Sequence, residues 1–363
     1  MALQNIDLRQ LAEMSGAERA FVTLYVSGAD GLNTLRDREE KVRRLLGDQS
    51  DEREHFGESM RMIRDALEES PPQAGMAFFA SWALDFLAGY RLDVAPPDLL
   101  WVDSSPYLRP LAQLQHQYQS FLVVSADADA ARVHVVTAAE PTEVKRIRGD
   151  VKNHVKKGGW SQKRYQRRRA NEMLLYAKEV ADVVTRVVDE ERIARIVLLG
   201  AQEATDEIAS ALPDRLQEHV VGRKGVDLAA DDAELFEAAQ DLASERARAD
   251  ERSLWENIRD EALGNGLAAF GPKAVLAAAQ QGRVETMIVT KDAKVAGTRC
   301  RDCETLAFTK PQQCPACRSN SVFAVDLVNE LVELLALSSA TAEFVDPLPG
   351  LSDEGDVAAL LRY

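Results

Sequence analysis

The chain has 363 residues, 46% of them hydrophobic and 28% charged, and a formal net charge of -15. That length suits two or three domains, each able to bury its own core, and so acidic a chain disfavours general attraction to nucleic acid, DNA included. No apolar run reaches the roughly 20 residues that span a bilayer, and the opening residues lack the basic and apolar regions of a signal peptide. A cytoplasmic protein with no membrane partner is expected.

In chain order, Ala20 to Gly28 (AFVTLYVSG) reads as a strand from its β-branched and apolar content. A charged helical region from about Leu32 to Glu69 breaks near Gly47 to Ser50, which predicts helix, turn, helix. Gly75 to Ser81 and Leu87 to Val94 read as two more strands, stopped by Pro96 and Pro97. Residues 1–117 are therefore expected to form an α+β domain.

Residues 118–249 open with Ser120 to Asp127 and Ala131 to Ala138, a hairpin joined by a short acidic turn. A basic segment, a long helix, the apolar run Ala194 to Ala201, a helix and a strand at His219 to Val226 follow. That is α/β order with parallel pairing. Residues 250–363 begin on an Ala, Glu, Asp and Arg rich helix that starts near Asp231, then give a turn, a helix and a strand at Thr286 to Thr290. A cysteine-bearing insertion at residues 298–320 precedes a final helix, a strand and the tail GDVAALLRY. The fold class expected is multidomain, α/β and α+β, with three small mixed domains.

The stretch from Lys145 to Arg169 carries eleven Lys or Arg and one acid, Asp150. On an acidic chain this is a local field, and it calls for a local anionic partner. Gly158 and Gly159 sit at its centre, where the backbone can take paths closed to other residues and approach a partner closely. The segment reads as a loop on top of a basic helix start. Lys156, Lys157, Lys163, Arg164, Arg167, Arg168 and Arg169 are candidates for RNA phosphate contacts, and Trp160 for stacking on a base. Arg164, Arg167 and Arg168 fall at i, i+3 and i+4, on one helix face.

All four cysteines lie within eighteen residues, with Cys300, Cys303, Cys314 and Cys317 forming two C-x-x-C knuckles. Such a pair suits a structural Zn²⁺ closed by four protein thiolates, as in a zinc ribbon. The five histidines, His55, His116, His134, His154 and His219, are scattered without metal-ligand spacing, and Ser161 has no visible base partner.

Gly-Gly on a basic loop before a long Arg-rich helix, then an α/β domain with a zinc ribbon and the terminal LLRY, resembles the archaeal and eukaryotic class I release factors and Pelota. The likeness runs along nearly the whole chain. AERAFVTLYVS resembles the start of the family's N domain, SFLVVSAD its middle domain and GLAAFGPKAVLAAAQQGRVETMIVT its C domain. The ribbon is compatible with archaeal members and with bacterial relatives, the hibernation factor Balon among them.

The resemblance implies that the middle-domain loop enters the peptidyl transferase centre beside P-site tRNA, and that the C domain docks a translational GTPase through the face near Gly271 to Val289. The family's loop is Gly-Gly-Gln. Gly158 and Gly159 match it, but Trp160 stands third and Gln162 follows two residues later. The family's stop-codon readers, an Asn-Ile-Lys-Ser turn and a Tyr-x-Cys-x-x-x-Phe segment, have no counterpart in LLGDQSDEREHF or WVDSSPYLRPLAQL.

The first expectation is therefore a factor that occupies the ribosomal A site in rescue or hibernation without reading a stop codon. A second is a peptide-releasing enzyme that hydrolyses peptidyl-tRNA, with Gly158, Gly159 and Gln162 as its catalytic loop. A third is an RNA-binding GTPase adaptor without catalysis.

Overall fold

The computed structural model describes residues 3–15, 19–47, 50–70, 74–128, 130–137, 141–148, 160–227, 231–264, 266–308 and 313–363. The chain divides into two compact units, one of Met1–Gln117 with Glu251–Tyr363 and the other of Tyr118–Asp250. The mixed α/β character expected from the sequence is present in both.

The N-terminal part of the discontinuous unit carries β1 (Phe21–Val26), β2 (Gly75–Ser81), β3 (Phe86–Leu92) and β4 (Leu99–Asp103) in the order β3-β2-β1-β4, all antiparallel. Its helices are α1 (Leu8–Ala12), α2 (Gly28–Asn33), α3 (Leu35–Leu45), α4 (Ser50–Glu69) and α5 (Arg109–Gln117). Val22, Leu24 and Val26 alternate onto the face that meets Phe56, Met60 and Ile63 of α4. Thr23 and Tyr25 point the other way, where the Tyr107 amide donates to the Thr23 hydroxyl and the Tyr25 hydroxyl donates to the Tyr107 carbonyl. With both faces covered, β1 reads as an unbroken apolar run rather than an alternating one.

The continuous unit holds β5 (Phe121–Ala126), β6 (Ala130–Val136), β7 (Pro141–Arg148), β8 (Ile196–Gly200) and β9 (Val220–Lys224), ordered β7-β6-β5-β8-β9. The hairpin β5, β6 and the edge strand β7 are antiparallel, whereas β5, β8 and β9 run parallel. Three layers result. On one face Leu122, Val124 and Val133 meet α6 (Trp160–Glu191) and α7 (Gln202–Ala211), with the short α8 (Asp214–Gln217) beside them. On the other, Phe121, Val123 and Val197 meet Leu235, Ala239 and Ala243 of α9 (Asp232–Leu263).

The C-terminal part of the discontinuous unit contains β10 (Ala268–Phe270), α10 (Gly271–Gln280), β11 (Val284–Thr290), β12 (Ala296–Cys300), β13 (Leu306–Ala307), β14 (Val322–Asp326), α11 (Leu327–Leu337), β15 (Thr341–Val345) and β16 (Val357–Leu361). Its main sheet is β10-β16-β11-β15, with β11 and β15 parallel. The tail of the sequence is thus the inner strand β16, hydrogen-bonded on both sides. Between β11 and α11 sits a separate small antiparallel sheet, β13-β12-β14. No helix among the described residues is long and apolar enough to cross a membrane.

Candidate RNA-facing helix and metal centre

Helix α6 runs unbroken over 32 residues, about 48 Å at 1.5 Å per residue. Met173, Tyr176, Ala177, Val180, Ala181, Val184, Val187 and Val188, three and four apart, form its core-facing stripe. Continuing that stripe toward the N-terminus reaches Arg169, which is half-buried and pairs with Glu203 of α7 at 2.7 Å. At 100° per residue, Arg164, Arg167 and Arg168 fall on the opposite side, and all three are exposed.

Arg168 pairs with Glu172 one turn on at 2.9 Å, a contact worth about 0.3–0.5 kcal/mol in water and easily exchanged for a phosphate. Arg164 and Arg167 meet no carboxylate among the described residues. The charges on this face are thus largely unspent. The helix start adds unsatisfied N–H groups and the positive end of the helix dipole, which favour anions further.

Trp160, Gln162 and Lys163 lie by their backbone in the first turn of α6, with their side chains outside the described residues. Gly158, Gly159, Lys156 and Lys157 also lie outside them. The beginning of the basic stretch is not loop but strand: Lys145 to Arg148 belong to β7, paired with β6 along its length. Lys145 and Arg146 are exposed and Ile147 is buried. An edge strand with charge on it hides its periodicity from the sequence, and the same charge protects the open edge from pairing with another chain.

The four cysteine sulfurs lie within 4.8 Å of one another. Cys300 and Cys317 approach to 3.5 Å and Cys303 and Cys314 to 3.4 Å, with no disulfide formed. A tetrahedral site with metal–sulfur bonds of about 2.3 Å needs sulfurs about 3.8 Å apart, so the thiols are already arranged for a metal ion.

The two knuckles repeat one backbone pattern. The amides of Cys300 and Cys314 donate to the carbonyls of Thr305 and Ser319, and the amides of Glu304 and Arg318 donate back to the carbonyls of Cys300 and Cys314. Glu304 and Arg318 both take positive φ, 56° and 61°. Each turn thereby directs two sulfurs to the same point.

Hydrogen bonds from the Thr305 hydroxyl and amide draw the Cys303 thiol down to about 6. The Cys317 amide leads in lowering Cys314. For Cys317 the Ser319 amide pulls downward, yet crowding against Cys303 and burial leave it at about 12. Crowded thiolates repel, and a cation at their centre is what lets all four ionise. Among the described residues this is the one group of three or more His, Cys, Asp or Glu placed to hold a metal.

Beside the metal centre lies a buried ionic cluster that composition and spacing did not single out. Arg299 donates to Glu330 at 2.5 Å, approaches Glu333 to 4.0 Å and donates to the Ser104 hydroxyl at 3.1 Å. The Ser105 hydroxyl and the Asn329 amide both donate to Glu333, at 2.8 and 2.6 Å. Burial pushes the Glu330 carboxyl up to about 7, with Arg299 opposing it, and burial with the Glu330 charge holds Glu333 well above its ordinary range. Asp103 is raised by burial as well. One guanidinium thus serves three carboxyls, and part of this cluster stays protonated near neutrality.

Residues 106–244 match a family described as Bacterial archaeo-eukaryotic release factor family 10. An uncharacterized protein of Mycobacterium tuberculosis is 23% identical over 291 residues, 77% of each chain. Peptide chain release factor subunit 1 of Thermococcus onnurineus is 22% identical over 398 aligned positions, covering 98% of this chain and 96% of that one. Among solved structures, a model of ribosome-bound archaeal Pelota and ABCE1 matches with a TM-score of 0.44 at 19% identity, over 67% of this chain and 61% of the other.

Proposed function

We propose that this chain, which resembles the archaeo-eukaryotic class I release factors and Pelota and is a translation factor of that type, enters the ribosomal A site without reading a stop codon, in rescue or hibernation. The observation that carries the reading is the exposed arginine face at the leading end of α6, directly after Gly158 and Gly159, on a chain of net charge -15. Phosphate contacts from this face would orient the diglycine segment toward rRNA and the P-site tRNA. The missing decoding motifs support binding without stop-codon selection. A translational GTPase docking on the C-terminal part is the protein partner proposed.

The competing reading, hydrolysis of peptidyl-tRNA with Gln162 placing the water, draws on the position of Gln162 in the first turn of α6. Ribosomes carrying labelled peptidyl-tRNA separate the two. Stable binding with no release beyond background is expected, for the wild-type chain and for Gln162→Ala alike. Release by the wild type that Gln162→Ala abolishes would establish the enzyme instead.

For the cysteine centre we assign a structural Zn²⁺. Four thiolates close its coordination and leave no open position for substrate or water. Purified chain is expected to hold one Zn²⁺ by elemental analysis. Cys303→Ser combined with Cys317→Ser should bring zinc to background and lower the unfolding midpoint of the discontinuous unit. Undiminished zinc in the double variant would remove the assignment.

A further inference from the structure

The two residues that flank and enter the first knuckle both reach out of the ribbon. Arg299 precedes Cys300 and donates to Ser104, just past β4 in the N-terminal part. Arg301 lies between Cys300 and Cys303 and donates to Glu52, in the first turn of α4, at 2.9 Å. The Glu52 side chain is 1% exposed, and Arg301 is the one cation paired with it among the described residues. The Phe323 ring of β14 supports the Arg301 guanidinium at 5.3 Å, while Arg19 of the N-terminal part lies 5.8 Å from the same ring.

We propose that metal binding at Cys300, Cys303, Cys314 and Cys317 couples the N-terminal and C-terminal parts of the discontinuous unit, with Arg301 as the positioning residue that transmits it to α4. The ribbon has little to hold it together otherwise: β13 is two residues long, and Phe323 and Val325 are the buried hydrophobic residues that β14 supplies. So small a sheet depends on its ion for order. Arg301 has its backbone inside the knuckle turn, its amide donating to Ser321 at 2.8 Å, so the turn that gathers the sulfurs also aims the guanidinium. When the ion leaves, the turn relaxes and the buried Glu52 loses its counter-charge.

The rest of the junction is anchored elsewhere. Arg109 and the Tyr107 hydroxyl bond Asp326, the N-cap of α11, and the amides of Leu108 and Arg109 donate to Asn329. Arg109 and Gln113 also donate to the Lys291 carbonyl. These contacts belong to α11 and to the end of β11, outside the knuckles. Metal loss therefore loosens α4 selectively, leaving Ser105, which donates to Glu333 of α11, and residues 108–117 in place.

The inference rests on the Zn²⁺ assignment above and is independent of the ribosomal reading. Hydrogen exchange on the full chain, with Zn²⁺ bound and after chelation, tests it. Chelation is expected to speed exchange about tenfold at residues 50–60 as well as 296–326, with 108–117 and 176–200 unchanged. Glu52→Gln leaves the knuckles untouched and should keep zinc. In that variant residues 50–60 should exchange fast whether or not zinc is bound, and Arg301→Gln should behave likewise. Faster exchange confined to 296–326 in the unaltered chain overturns the coupling, as does an undiminished zinc response at 50–60 in Glu52→Gln. A chain that takes up no Zn²⁺ overturns the metal assignment and the coupling together.

Discussion

Arg299→Met is expected to destabilise the discontinuous unit by about 3–5 kcal/mol at pH 8, the usual cost of removing one member of a buried ion pair. Arg299 and Glu330 are 12% and 1% exposed at their side chains, so water cannot replace the lost partner. Burial raises the Glu330 carboxyl from its ordinary 4.5 to about 7 and raises Glu333 as well, so the folded state binds protons that the unfolded chain releases. The Glu330 contribution to stability is complete below about pH 4.5 and is lost as pH rises through about 7, and that of Glu333 has the same sign. The Arg299→Met penalty should therefore shrink toward pH 5, where the Glu330 carboxyl is neutral.

Glu330→Gln should flatten the decline of stability between pH 5 and 8, because it supplies the neutral form at every pH. Denaturant titrations followed by tryptophan emission give the measurement. Three of the four tryptophans, Trp82, Trp101 and Trp255, lie in this unit. A penalty that is the same at pH 5 and pH 8 would refute this account of burial-raised carboxyls in the cluster.

Reversing Arg164 and Arg168 together to Glu is expected to weaken ribosome association by about a hundredfold or more, from charge-assisted contacts worth about 1.5–3 kcal/mol each. The plot of log affinity against log salt should also become shallower, by about two for two phosphate contacts. Neither side chain is buried, so unfolding midpoints should hardly move. Arg246→Glu is a suitable control. Arg246 pairs with Asp250 on α9, whose buried residues in the continuous unit pack on the opposite sheet face from α6, and its reversal should leave the salt slope unchanged. Cosedimentation at several salt concentrations reads all three chains, and an unaltered slope in the double variant would detach this helix face from the ribosome.

Much of the architecture was legible because local signals and tertiary context agreed. The runs that form β1, β2, β5 and β8 are largely apolar because those strands are buried on both faces. The break between α3 and α4 was readable from Gly47, which adopts φ 60°. Cysteine spacing pointed to four sulfurs at one place, and they do lie together.

What stayed hidden was decided by partners far along the chain. The residues VAALL form β16 because β10 and β11 flank them, some 70 to 90 residues earlier, and nothing local distinguishes them from a helical tail. Glu330 and Glu333 look like the solvent face of an amphipathic helix, yet α11 has that face covered by Ser105 and Leu108 of the N-terminal part. Charge on β7 concealed a strand in the same way. A sequence displays which residues are charged, but which charges are buried depends on contacts spanning more than 200 positions.

The discontinuity of the larger unit sets an order of events during synthesis. Residues 118–250 contain every strand of their own sheet and can fold as soon as they emerge, whereas residues 1–117 must wait with the surface destined for α11 uncovered. The C-terminal sheet closes only when β16 arrives, just before Tyr363, whose backbone oxygen Arg283 grips at 2.7 Å. The larger unit is therefore completed after the continuous one, and until residues 357–361 emerge its C-terminal sheet lacks the strand that joins β10 to β11.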